Sequence, residues 1–155
     1  YAEWRGKRLP TLAELIYAGS GPTIRRFPWD EEDSPGTYRG NFEGRPIGPD
    51  DLKDMLAFAM ENSVPSRSMP EAATPEGVFH LLGNVSEITG SLFVDSFGGE
   101  SERTWPYLRF ATGGTWSCAT YRHTILNSAT KATYHTPRDM SRTGFRCARS
   151  AEPPE

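Results

Sequence analysis

Cys118 and His123 stand five residues apart, just after the run Gly113-Gly114-Thr115-Trp116, and they are the nearest approach along this sequence of a thiol to an imidazole. A thiolate and an imidazole are side chains of covalent catalysis and of soft-metal binding. A nucleophile and its base are defined by meeting in space, however, and this spacing alone marks no such pair. His80, His123 and His135 show no His-x-x-x-His spacing and no neighbouring Cys-x-x-Cys, so no zinc centre is indicated. Gly19-Ser20-Gly21 lacks the third glycine and the preceding apolar strand of a nucleotide-binding loop, and there is no Gly-x-Ser-x-Gly elbow. The segment from Trp116 to Arg142 instead offers a density of Ser, Thr, Tyr, His, Asn and Arg, which suits adaptable polar recognition when a rigid frame displays it. Its candidate ligand-binding residues are Trp116, Tyr121, Arg122, Asn127, Tyr134 and Arg138, for a protein or peptide ligand.

The elements on either side must position that segment. Residues 109–112 and 144–149 read as short paired strands framing the 115–143 region, with Asp95 to Trp105, polar and glycine-bearing, as a surface loop. Pro10-Thr11-Leu12-Ala13-Glu14 opens a short helix: Thr11 caps it, Glu14 completes a capping box, and Leu12, Leu15 and Ile16 face inward until Gly19-Ser20-Gly21-Pro22 stops it. Asp50 to Asn62 is the most regular helical pattern, with Leu52, Met55, Leu56 and Ala59 on one face behind Asp50 and Asp51, and it is expected to pack on the domain. Val64 to Ser68 reads as extended, and the acidic run Asp30 to Asp33 as a solvated charge run. With two cysteines, a Cys118–Cys147 bridge is the one intrachain disulfide possible; two free thiols is the preferred reading, with Cys147 a small buried apolar residue on a terminal strand.

With 15 Gly and 13 Pro in 155 residues, the chain is punctuated too often for long helices, and its order must come from packing and loop hydrogen bonds. The length suits one domain, 1–149, with a tail at 150–155. A net charge of -3 argues against general nucleic-acid binding, which relies on clustered Lys and Arg. Arg138, Arg142, Arg146 and Arg149 are spaced along the C-terminal segment, as surface charges beside a strand and a structural arginine in Gly144-Phe145-Arg146. No apolar run approaches the ~18 residues of a spanning helix, and no signal sequence is visible.

Three ordered blocks carry a family resemblance. They are Tyr1-Ala2-Glu3-Trp4-Arg5-Gly6-Lys7-Arg8-Leu9-Pro10-Thr11, Gly77-Val78-Phe79-His80-Leu81-Leu82-Gly83-Asn84-Val85-Ser86-Glu87, and Arg109 to Cys118 followed by Gly144-Phe145-Arg146-Cys147-Ala148-Arg149. In these the chain resembles the formylglycine-generating enzyme / sulfatase-modifying factor family. The resemblance implies an α+β, irregular C-type-lectin-like fold, with short helices, short antiparallel strands and extensive ordered loops. It also implies that the family's usual N-terminal segment is missing from residues 1–149, making that half of the domain, or an upstream domain, an expected partner. In catalytic members two cysteines five residues apart bind copper(I) and oxidise a substrate cysteine to formylglycine with oxygen. Here Cys118 holds the first place and His123 the second, so the expected function is a non-catalytic binding or accessory domain. The alternative is a copper-dependent oxidase acting through Cys118, with His123 and Thr115. By the same resemblance Asn84 and Glu87 would help bind a structural calcium ion, a hard cation that takes six to eight oxygens. The competing reading makes them the caps of a metal-free turn.

Overall fold

The computed structural model describes residues 1–29, 39–41, 52–95, 103–116, 130–131 and 141–151. Helix α1, Leu12–Ser20, begins where the capping signal places it. The Thr11 hydroxyl accepts from the Glu14 amide at 3.1 Å, and the Glu14 carboxylate accepts from the Thr11 amide at 2.8 Å. That carboxylate also receives Arg8 through both guanidinium ends, at 2.6 and 2.7 Å. Leu15 is buried with Leu81, and the helix ends at Gly21, whose amide returns to the Tyr17 carbonyl. Helix α2, Leu52–Asn62, matches the expected amphipathic element. Its packing shows at Phe58, which meets the Trp116 ring edge-on at 5.4 Å.

The sheet is more extensive than the sequence suggests. Strands β1, Ser86–Asp95, and β2, Arg103–Thr112, pair antiparallel over ten residues each. Asp95 and residues 103–105, expected in a surface loop, therefore lie in strands. Threonine and aromatic residues in Arg103-Thr104-Trp105-Pro106-Tyr107 favour strand backbone over a polar loop. Pro106 leaves its mark: the register passes from Leu92↔Arg109 to Val94↔Thr104, so β2 carries extra residues around a position with no N–H for the ladder.

Two short strands complete a mixed sheet in the order β3-β2-β1-β4: β3 is Thr130–Lys131 and β4 is Thr143–Gly144. The expected pairing of 109–112 with 144–149 is corrected here. Both segments flank β1, which pairs antiparallel with β2 and parallel with β4. Beyond β4 the chain leaves the sheet, and Ala148 makes an isolated bridge to Arg8 that ties the end of the described chain to its beginning. Cys147, beside that bridge, carries a free thiol and is half-buried.

Among the described residues, buried apolar side chains form two small clusters. Phe27 stacks on Trp29 at 5.3 Å beside Ala72 and Leu82, while Leu15 packs with Leu81. Leu81 and Leu82 are adjacent in sequence, so one irregular segment divides its side chains between the clusters. Among the described residues no helix is long and apolar enough to cross a membrane.

Two exposed acidic groups set the response to acid. Arg8 holds the Glu14 carboxyl, and Arg25 the Glu76 carboxyl, at about 2 against the ordinary 4.5. Protons therefore bind the unfolded chain more tightly, and the stability these groups supply above pH 4.5 is lost as pH falls toward 2. Because both carboxylates lie at the surface, high salt is expected to shrink the loss, and less so at Glu76, whose partner Arg25 has a side chain 8% exposed. NMR titration should place both carboxyl midpoints near 2; ordinary midpoints would refute the pairing. Thr11→Ala should lower unfolding free energy by about 1 kcal/mol through loss of the cap, measured by denaturant melts.

Candidate functional site

Residues 79–85, between α2 and the start of β1, have no regular structure, and His80 to Asn84 are all buried. A chain taken inside without a ladder must find partners elsewhere for its polar groups. Here the segment finds them at each turn. The Gly83 amide donates to the Gly113 carbonyl at 2.6 Å, the Asn84 amide to the Asn41 carbonyl at 3.0 Å, and the Trp116 amide to the Asn84 carbonyl at 2.8 Å. Gly113 lies so close that a β-carbon on it would sit 3.0 Å from the Leu81 carbonyl oxygen, and its φ of +95° is one that side chains disfavour. That pair of constraints is the local reason for glycine in the Gly113-Gly114-Thr115-Trp116 run.

Asn84, with φ at +66°, uses its side chain as a peptide would. Its Oδ1 accepts from the Val64 amide at 2.9 Å and from Asn41 Nδ2 at 3.2 Å, while its Nδ2 donates to the Val64 carbonyl. Asn41 in turn donates to the Asn62 carbonyl, and Asn62 Nδ2 to that of Phe58. The three buried asparagines thus link the central segment to the C-terminal end of α2. The sequence reading found Asn84 but missed Asn41 and Asn62, which no pattern in the chain distinguishes from loop asparagines.

Glu87 is buried and meets Arg146 in a fork, Nε to Oε2 and Nη2 to Oε1, each at 2.6 Å. Nη2 also donates to the Phe79 carbonyl at 2.9 Å, with the His80 carbonyl at 3.4 Å. One guanidinium thereby joins β1, the segment after β4 and the entrance to the buried segment. Burial pushes the Glu87 carboxyl above its ordinary value, and Arg146 pulls it part of the way back. His80 is also buried, which lowers its basicity, and its Nε2 lies 3.1 Å from the Pro65 carbonyl oxygen. The carbonyl can only accept, so Nε2 carries the proton.

The residues as placed do not fit calcium. The Asn84 oxygen already accepts two N–H groups, and both Glu87 oxygens face a positive guanidinium. The arrangement is that of a capped turn and a buried ion pair. No cluster of three acidic, histidine or cysteine side chains suited to a metal occurs among the described residues.

The other candidates divide sharply. Thr115 and Trp116 are described and buried; Trp116 is 1% exposed against Phe58, so its ring belongs to the interior instead of a ligand surface. Cys118, Tyr121, Arg122, His123, Asn127, Tyr134 and Arg138 lie outside the described residues. The structure does show the frame from which that segment departs: the end of β2, the two positive-φ glycines, and Trp116 fixed by its amide and ring.

The chain has recognisable relatives among known proteins. The sulfatase-modifying factor enzyme 1-like domain matches residues 1–151. The chain is 29% identical to a formylglycine-generating enzyme of Streptomyces coelicolor over 98% of its length and 49% of that protein's. It is 33% identical to a formylglycine-generating enzyme of Mycobacterium tuberculosis over 60% of its length and 30% of that protein's. The crystal structure of CarF superposes with a TM-score of 0.56 at 22% identity, covering 94% of this chain and 48% of that one. The chain spans half or less of each of these relatives, and the shared fold is α+β of the irregular C-type-lectin-like kind.

Two measurements check the site. Arg146→Ala leaves the Glu87 carboxylate buried and unpaired and should cost about 3 kcal/mol, with Glu87→Gln milder because no charge is stranded in the carboxyl position. The residual Glu87 in Arg146→Ala has a raised folded-state value, so the variant should regain stability as pH is lowered toward the unfolded carboxyl value and lose it as pH rises. Melting midpoints in calcium and in chelator should coincide. A midpoint rising with calcium concentration would restore the cation to Asn84 and Glu87.

Proposed function

The chain belongs to the family of sulfatase-modifying factor enzyme 1-like domains, and from that premise we propose that it is a non-catalytic binding or accessory domain. In this reading the polar segment 115–142 meets a protein or peptide ligand through Tyr121, Arg122, Asn127, Tyr134 and Arg138. The observation that carries the proposal is His123, standing where the family resemblance places the second copper-binding cysteine. Two thiolates suit the soft copper(I) ion; exchanging one for a neutral imidazole alters both charge and geometry. The rigid departure of the segment from Trp116 supports a display role, because adaptable side chains recognise best from a fixed frame. The remaining part of the family domain, or a domain joined to it, is the proposed partner within the full protein.

The second reading is a copper-dependent oxidase converting a substrate cysteine to formylglycine through Cys118, with His123 and Thr115. It is favoured by two observations: Cys118 is retained, and two relatives are formylglycine-generating enzymes. An aerobic assay of the full-length protein with copper and a cysteine-containing sulfatase-motif peptide, read by product mass, separates the two. No aldehyde is expected, and His123→Cys should raise copper(I) affinity. Aldehyde formed by the unaltered protein and abolished by Cys118→Ala would establish the oxidase instead.

A further inference from the structure

A cavity of about 440 Å³ opens beside the Glu87–Arg146 fork, and nothing in the function proposed above uses it. Its walls include Ser66, Arg67, Phe79, His80, Phe145 and Arg146. The charges there are two arginines against Glu87, a balance of +1 in a chain of net charge -3. Glu87 is already satisfied by Nε and Nη2 of Arg146. Nη1 of that guanidinium makes no hydrogen bond within the described residues, while Nε and Nη2 are taken up by Glu87 and two carbonyls.

Arg67 is exposed and makes no ion pair or hydrogen bond within the described residues, yet its backbone is tightly held. It occupies the third place of the turn Pro65 to Ser68, whose first carbonyl accepts from the Ser68 amide at 3.0 Å and the Ser68 hydroxyl at 2.7 Å, and faces His80 Nε2 at 3.1 Å. Three donors on one oxygen fix the turn against the buried segment and hold the base of Arg67 at the cavity. Phe145, half-exposed, and Phe79 supply aromatic surface in the same walls.

From this combination we infer that the cavity binds an oxyanion attached to an aromatic or other flat apolar group. The anion, a carboxylate or a phosphate, meets Arg67 and Nη1 of Arg146, and the apolar part lies against Phe79 and Phe145. Guanidinium groups present paired donors that match either oxyanion, and an apolar wall beside them excludes competing water. The inference uses none of the candidate residues from Cys118 to Arg138, so its test does not depend on the outcome of the copper assay.

The test is an NMR titration of the full-length protein with phenylacetate, phenyl phosphate and benzyl alcohol. Saturable shifts are expected at residues 66, 67, 77 and 145 for at least one of the two anions, with benzyl alcohol at least about tenfold weaker. Comparing phenylacetate with phenyl phosphate tells which oxyanion the cavity prefers. Arg67→Ala, which removes no hydrogen bond or ion pair among the described residues, should weaken the preferred anion about tenfold. Arg149→Ala, exposed and outside the cavity, should leave affinity unchanged. The inference is overturned by equal binding of benzyl alcohol, by undiminished affinity in Arg67→Ala, by an equal loss in Arg149→Ala, or by no saturable shift at about 10 mM, where a millimolar site would be filled.

Discussion

Arg146 is the constraint on which the rest of the molecule depends. A guanidinium is planar and always charged, with donors in a fixed fork, so placing it indoors commits every group around it to one geometry. Glu87 must be ionised and oriented to meet it, which fixes the first turn of β1. The carbonyls of Phe79 and His80 must point at it, which fixes where the buried segment begins. A pair of this kind contributes little net energy, since desolvating two charges costs about as much as their attraction returns. Its value lies in fixing register, since a slip of β1 by one residue would turn Glu87 to the opposite face, away from Arg146.

The same economy runs through the neutral groups. A chain rich in glycine and proline cannot use long ladders to satisfy its backbone, and this one transfers the task to amide side chains and close main-chain approaches. Asn84 serves as a surrogate peptide for Val64, Asn41 and Asn62 continue the link to α2, and Gly113 permits a carbonyl approach that any β-carbon would obstruct. Two modest apolar clusters then suffice, because the hydrogen-bonded segment between them holds Leu81 and Leu82 in place for both.

What the sequence made legible follows from this division. Features with local causes could be read directly: the Thr11–Glu14 cap depends on four consecutive residues, and α2 on a helical repeat of apolar side chains. The family resemblance singled out Asn84 and Glu87 and quoted the Arg146 segment; in the fold Glu87 pairs with Arg146, while Asn84 bonds Val64 and Asn41. Their partners were not legible, because pairing Asn84 with Val64 or Glu87 with Arg146 spans 20 and 59 positions. The length of β2 was hidden by Pro106 and its polar start, whose strand character depends on a partner strand. Trp116 looked like a recognition residue because it stands in polar company, and only Phe58 shows that it faces inward. The candidate residues from Cys118 to Arg138 keep their reading from sequence alone.

The irregular centre also changes what counts as the slowest part of this protein to open. The amides of Gly83, Asn84 and Trp116 belong to no helix or strand, yet each donates to a carbonyl in the buried knot around Asn84. Hydrogen–deuterium exchange at these positions therefore requires separating the end of β2, the central segment and the backbone at Asn41 together, whereas the ends of α1 can fray singly. The most protected amides would then lie in coil and the more labile ones at helix ends, so regular structure in this fold is a poor guide to its cooperative unit.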